Sequence, residues 1–309
     1  MSNANLLSVY TPLIGWTALG WVLGRLLPQI TATYLGQFLF WIGVPISILG
    51  FLRHAQLSWS LWLAPLMAWI AMLSGIALAW WCLRSTDSPL DTRTWPNQTR
   101  GSFLLASMVG NTGYIGYPVS LALVGSQDFA WALFYDIGST LGAYGLGVAL
   151  ASHFAATRHS FWQPLRVMAT NPALWSFGLG VGGRDLPLPE VVEVGLRSFS
   201  WVVISLSLIL VGMRLSQLKS FHRIKPAIVS LSIKMVLVPL VLGSGLWFLG
   251  ITGTVHRVIL LQMAMPPAFA TLVIAEAYGL DRNLSVTSLI VGSLGLLITL
   301  PLWLLLFGS

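Results

Sequence analysis

Apolar runs of 18 or more residues recur along this whole 309-residue chain and leave no polar block large enough for a soluble domain. Runs of that length suffice to cross a hydrocarbon core of about 30 Å as helices. Charged residues make up only 8% of the sequence and mean hydropathy is +0.81, whereas soluble domains carry about a quarter charged residues. The chain therefore reads as one all-α integral membrane domain. Turn and charge clusters divide it into about ten spans, near 6–27, 33–52, 60–83, 101–125, 129–151, 172–183, 190–213, 226–250, 255–279 and 284–307. The sixth is too short to cross alone unless "RDLPLP" lies partly within the membrane. The first run is about 20 residues long, with no Lys or Arg before Arg25, and reads as a spanning helix rather than a cleaved signal peptide.

A net charge of +7 raises nucleic acid as a partner, but the 16 Lys and Arg are scattered between spans and form no basic patch. They instead set orientation. With the amino terminus outside, the inside loops receive Arg25, Arg84, Arg93, Arg100, Arg158, Arg166, Arg214, Lys219, Arg223, Lys225 and Arg282, and the outside loops only Arg53, Arg184, Arg197 and Arg257. This positive-inside bias predicts that both termini face the exterior or periplasm of a plasma or bacterial inner membrane. The single cysteine, Cys82, excludes an internal disulfide and any Cys-based metal site, and no cofactor is expected. Trp59, Trp62, Trp80, Trp81 and Trp303 lie near predicted span ends, as aromatic belts do.

An internal repeat organises the spans. "FWIGVPISILGFLRHAQL" (Phe40 to Leu57) aligns without gaps on "WVVISLSLILVGMRLSQL" (Trp201 to Leu218), pairing Arg53 with Arg214, Gln56 with Gln217 and Leu57 with Leu218. Span two then corresponds to span seven. Five spans per half is an odd number, so the halves are inverted relative to each other, as in alternating-access transporters. The first repeat covers 1–152 and the second 172–309, with a short cytoplasmic linker at 153–171.

Within each half one span is interrupted at an equivalent place. "SMVGNTGYIGYPVS" (Ser107 to Ser120) puts three glycines, Asn111 and Pro118 inside span four, and "LQMAMPPAFATLV" puts Pro266 and Pro267 in the middle of span nine. Proline lacks an N–H and frees a carbonyl about a turn earlier, while glycine relaxes the backbone. A proline kink repaired by neighbouring helices explains one such break; two at repeat-related positions favour a crossed pair of broken helices. Bare backbone at that depth is tolerated only where protein buries it or water reaches it. Two half-helix amino termini near the midplane present free N–H groups and partial positive charge to an anion. The candidate substrate-binding residues are Gly110, Asn111, Thr112, Gly113, Pro118, Met265, Pro266 and Pro267, with Gln262 and Thr271 as secondary candidates.

Ionisable residues inside spans are functional candidates because each costs about 2.5–3.5 kcal/mol at a helix centre. Asp136 in "ALFYDIGSTLGAYG", beside Tyr135, Ser139 and Thr140, is the candidate for carrying a proton or pairing with a cation, against the reading of a carboxylate solvated near the span end. Lys234 lies about 12 Å into span eight; snorkelling to the cytoplasmic face is favoured slightly over a substrate role. Glu276 reads as interfacial. "GLGVGG" contains G-x-G-x-x-G at Gly178, Gly180 and Gly183, but no strand precedes it, and close helix packing explains it better. The sequons at Asn97 and Asn283 fall on the inside, and no Ser, His and Asp set sits at one depth, so enzymatic catalysis has little support.

"GNTGYIGYPVSLALVG" (Gly110 to Gly125) resembles the auxin efflux carrier family, which includes the plant PIN carriers and bacterial relatives described as organic-anion or malate and malonate permeases. "AMPPAFATLVIAEAYG" (Ala264 to Gly279) resembles the family's second crossover, "NPALWSFGLG" its sixth span and "KMVLVPL" its span-eight pattern. The resemblance implies ten spans in two inverted repeats, a fold shared with bile-acid sodium symporters, and a homodimer of elevator-like protomers with scaffold and transport domains. By motif position it gives crossover roles to Asn111, Pro118, Pro266 and Pro267. Asp136 occupies a span-five region where plant carriers use uncharged polar residues, a departure that points to proton coupling. The second crossover carries Gln262 but no acid, unlike the bile-acid branch, so proton coupling or uniport is expected rather than sodium.

The expected function is secondary transport of a small organic anion, auxin-like or dicarboxylate. Two alternatives stay open: a cation/proton antiporter of related fold with Asp136 as ion ligand, and a membrane receptor that never completes a transport cycle.

Overall fold

A computed structural model describes residues 3–53, 55, 57–85, 90, 92–155, 162–218 and 223–307. Gln56, Arg158, Lys219 and the middle of the 153–171 linker lie outside the described residues. The described residues are helical apart from turns and one isolated β-bridge. In chain order the helices are α1 (Asn3–Leu26), α2 (Gln29–Arg53), α3 (Trp59–Arg84), α4 (Asn97–Met108), α5 (Gly116–Val124), α6 (130–154), α7 (Gln163–Ala169), α8 (Pro172–Gly183), α9 (Glu190–Gln217), α10 (Ile224–Phe248), α11 (Gly253–Met263), α12 (Phe269–Ala277) and α13 (Arg282–Phe307). Among them α2, α3, α9, α10 and α13 are each long and apolar enough to cross a membrane.

Local sequence accounts for several boundaries. Pro28, Pro96 and Pro189 immediately precede α2, α4 and α9 in extended conformation, and Asn171 caps α8 by accepting from Ala173 N–H at 3.0 Å, with Pro172 as its first residue. The short sixth apolar run is a helix of 12 residues, or about 18 Å, and "RDLPLP" after it is turn and coil rather than a helical extension. Among the described residues three helices contain a π turn: 39–43 in α2, 143–147 in α6 and 232–237 in α10.

Glycine sets the closest helix contacts. α1 and α9 run parallel, with Gly20 against Ile209, Gly24 against Met213 and Ser216, and Gly212 against Thr17. A Cβ on Gly212 would lie 2.0 Å from the Thr17 carbonyl oxygen, so the two backbones touch. α2 and α9 run antiparallel: Gly50 meets Leu196 and Ser200, Gly43 meets Val203, and Gly36 meets Leu210 and Arg214. At one end of this pair Arg53 donates to Glu193 Oε1 at 2.7 Å and to the Leu186 carbonyl at 2.9 Å. At the other, Arg214 lies against Gly36. The two arginines that the repeat aligns thus cap opposite ends of one antiparallel pair.

The main core joins α3 to α6 with α10 to α13, while a smaller cluster of Ala32, Leu39, Val203, Leu210 and Met213 fills the α2–α9 seam. Asp281 pins the loop before α13 to the start of α4, accepting from Thr99 Oγ1 at 2.8 Å and from Arg223 Nε at 3.0 Å. Two sequence expectations change. Trp303 is not a belt residue: it is 1% exposed and donates to the Met235 carbonyl at 3.1 Å. In "GLGVGG" Gly180 packs closely, with its Cβ position 2.7 Å from Leu52, whereas Gly178 and Gly182 face open space.

Gly212→Ala is therefore expected to destabilise the protein by about 1–3 kcal/mol through overpacking, read as a lowered melting temperature in detergent. Gly178→Ala, with nothing within 4 Å of the added Cβ, is the matched control and leaves it unchanged.

Candidate functional site

The two interruptions meet. α4 ends at Met108 and α5 begins at Gly116; α11 ends at Met263 and α12 begins at Phe269. Between them Gly110 and Pro267 form an antiparallel bridge. Asn111 N–H donates to the Pro266 carbonyl at 2.7 Å, and Ala268 N–H donates to the Val109 carbonyl at 3.3 Å. Each break thus supplies hydrogen-bond partners that the other has lost. Pro267 fits because the residue opposite Gly110 is not asked to donate. α13 closes over the junction at Gly292, whose Cβ position lies 2.8 Å from Pro267 and 3.2 Å from Pro266.

Beside the bridge lies a cavity of about 130 Å³. Its polar wall is Gly110, Asn111, Thr112, Gly113, Asp136 and Ser139, and Phe269 and Ala270 bring the first turn of α12 to it. First-turn N–H groups have no acceptor within their own helix, and Ala268, the residue before α12, provides no side-chain cap. Asn111 is 4% exposed; its Oδ1 accepts from Tyr114 N–H at 3.2 Å, while its Nδ2 is buried with no hydrogen-bond partner among the described residues. The amide is therefore held by one atom, with its two N–H bonds unused, on a residue that lines the cavity.

Asp136 faces the same space from α6. Its two oxygens accept separately, one from Thr112 Oγ1 and the other from Tyr117 OH at 2.7 Å. Thr112 belongs to the break and Tyr117 to the first turn of α5, so Asp136 ties the break to α6. Gly113 lies beside the carboxylate, the Cβ position there being 3.7 Å from both oxygens, an ordinary contact distance. Among the described residues no basic side chain forms an ion pair with Asp136.

The remaining candidates surround the junction without lining the cavity. Pro118 is the third residue of α5, buried, where its missing N–H costs no helical bond. Met265 is buried within the second break, and Tyr135, next to Asp136, is 2% exposed. Thr271 Oγ1 donates to the Ala268 carbonyl at 2.7 Å. Gln262 is fully buried: Nε2 donates to Ser120 Oγ at 3.3 Å and Oε1 has no partner among the described residues. Gly116 makes room for it, the Cβ position there lying 2.3 Å from Oε1. Lys234 departs from the expectation of snorkelling. It is 3% exposed, and Nζ donates to the Met263 carbonyl at 2.6 Å, at the end of α11, while lying 3.1 Å from the Cβ position of Gly110. The π turn at 232–237 carries this side chain to the carbonyl end of α11, where a positive group is favoured. Glu276 pairs with Arg282 Nε at 2.7 Å, with both side chains exposed.

Several lining residues escaped sequence reasoning. Phe40 and Val44 reach the cavity from α2, Tyr144 from the π turn of α6, and Asn171 from the cap of α8. Only Asn171 had a local signal, the helix-start pair Asn-Pro. Tyr117 lay inside the motif, but nothing local aims its hydroxyl at Asp136. Lys234→Met is expected to leave the Met263 carbonyl unsatisfied and lower stability by about 1–3 kcal/mol, measurable by thermal denaturation in detergent.

Residues 6–304 match the profile of a family described as membrane transport protein. An "uncharacterized transporter" of Methanothermobacter thermautotrophicus is 30% identical over 292 residues, covering 92% of this chain and 93% of its own length. Another "uncharacterized transporter", from Methanocaldococcus jannaschii, is 27% identical over 66% of this chain and 67% of its own. A "probable auxin efflux carrier component 5b" of Oryza sativa subsp. japonica is 26% identical over 49% of this chain and 44% of its own. With nearly its whole length matched and two broken helices paired at their interruptions, the chain belongs to the membrane transport protein family, the auxin efflux carrier family of integral membrane transporters.

Proposed function

We propose that this protein is a secondary transporter of small organic anions, auxin-like or dicarboxylate, that works by elevator-type alternating access and couples transport to protons through Asp136. The observation that carries the proposal is the buried, unpartnered Nδ2 of Asn111 at a polar cavity beside two paired helix breaks. A carboxylate there accepts from Asn111 and from first-turn N–H groups of α12, a donor set for an anion made without a fixed cation. The name of the rice relative is in keeping with an organic acid.

The proposed architecture is ten spans in two inverted repeats, 1–152 and 172–309, joined by the 153–171 linker. The antiparallel α2–α9 pair, capped at opposite ends by the aligned Arg53 and Arg214, supports it. In this reading the transporter is a homodimer in a plasma or bacterial inner membrane, with both termini outside. A bound anion beside Asp136 brings a second negative charge into one pocket. A proton on Asp136 removes that repulsion, which is the physical reason to couple the two. The same unpaired carboxylate also favours a second reading, a cation/proton antiporter with Asp136 as the ion ligand.

Solid-supported-membrane electrophysiology on proteoliposomes, with a panel of organic acids and imposed proton or sodium gradients, separates these. A saturable current on adding an acid supports the anion carrier; current on cation steps alone selects the antiporter. Asn111→Ala is expected to weaken apparent affinity about tenfold or more, the weight of one hydrogen bond to a charged group. Unchanged transport by that variant removes Asn111 from the site. Because a proton enters with the anion, uptake should rise as external pH falls. Asp136→Asn is expected to abolish this pH dependence while leaving substrate exchange at equilibrium, as radiolabelled counterflow would read.

A further inference from the structure

A second cavity, of about 460 Å³, opens between α1, α9 and α13 and reaches the first break at Ile115. On α1 its wall is one helix face that includes Tyr10, Leu13, Thr17, Ala18, Trp21 and Arg25. The fifteen helical steps from Tyr10 to Arg25 give the slot a length of about 22 Å, somewhat more than one leaflet of a hydrocarbon core about 30 Å thick. Leucine and isoleucine from α9 and α13 make up most of the opposite walls, so the interior is apolar along its length.

One end differs from the rest. Arg25 sits in the last turn of α1, exposed, with its guanidinium carbon 4.3 Å from the centroid of the Trp21 ring. No acidic side chain among the described residues pairs with it. An arginine braced on a tryptophan at a helix end belongs at headgroup level. A narrow apolar slot with one cation at its mouth matches an amphiphile with a long hydrocarbon tail and an anionic head. At its inner side the slot is walled by Ile115, the residue that leads from the first break into α5.

We propose that this slot is a binding site for one anionic phospholipid, its acyl chain lying along the Tyr10–Arg25 face and its phosphate on Arg25. The lipid is a structural ligand, distinct from any transported substrate. Its tail forms part of the packing around Ile115.

Native mass spectrometry of the full-length protein tests this, after titration with phosphatidylglycerol or phosphatidylcholine of identical acyl chains. The wild type is expected to retain one phosphatidylglycerol per chain with about fivefold preference, the effect of a single basic side chain at the interface. Arg25→Gln, a change at an exposed position, should keep a lipid but lose the preference. Ala18→Trp, which projects an indole into the slot, should remove bound lipid of both kinds. Equal retention of the two lipids by the wild type, or a preference that survives Arg25→Gln, overturns the proposal, as does occupancy unchanged by Ala18→Trp. A lipid-free dimer would also overturn it, by assigning the slot to a second copy of the chain.

Discussion

Two hydrogen bonds between broken helices carry the rest of this structure. Seven residues, 109–115, separate α4 from α5, and five, 264–268, separate α11 from α12. Some of their backbone groups, Asn111 N–H and Ala268 N–H among them, have no partner within a helix, and hydrocarbon offers none, so either break alone would cost several kcal/mol per unsatisfied group. Paired through Asn111 N–H to Pro266 and Ala268 N–H to Val109, each makes the other tolerable. The neighbours are then shaped to the junction. Gly292 admits the two prolines from one side, and Gly75, whose Cβ position lies 2.3 Å from the Ser107 carbonyl, admits the end of α4 from another.

The polar side chains around the junction divide by what they satisfy. Lys234 donates to the Met263 carbonyl at the end of α11 and completes backbone that the second break left open, while Thr271 Oγ1 shares the Ala268 carbonyl with its own N–H. Thr112 and Tyr117 serve Asp136 and hold α6 against the first break. Asn111 differs from both groups, because its acceptor is used internally and its donor is left unpartnered on a residue that lines the cavity. The π turns supply positions that a regular helix would place elsewhere: Tyr144 reaches the cavity and Lys234 the end of α11 from such turns. Insertions of this kind recur where a helix has to present a functional side chain.

Much of this was legible in the chain itself, because the bilayer imposes its demands locally. The breaks announce themselves as Gly, Asn and Pro in apolar runs. Asp136 stands out because a carboxylate within a span is costly. Phe40, Val44 and Tyr144 did not stand out, since aromatic and aliphatic residues in an apolar run are identical in character whether they face lipid, core or cavity. Lys234 was misread for a related reason. Distance along its helix placed it within snorkelling reach, but the π turn and the open Met263 carbonyl gave it a nearer partner. Trp303 was misread because position near a span end says nothing about which side of the helix is packed.

The sequence by itself determined that the chain is helical and membrane-embedded, where its helices break, and which polar residues lie at depth. These follow from hydrophobicity, from proline's missing N–H and from glycine's freedom, all properties of single residues. Only the tertiary structure decided that the two breaks satisfy one another, that Asp136 takes its donors from both sides of the α5 boundary, and that Asn111 rather than Gln262 presents a donor at a cavity. Those outcomes depend on which backbone and side-chain groups meet between separate helices and breaks, some of them more than 100 residues apart along the chain. In a medium with no water to accept or donate, it is the completion of hydrogen bonds between distant segments that selects them.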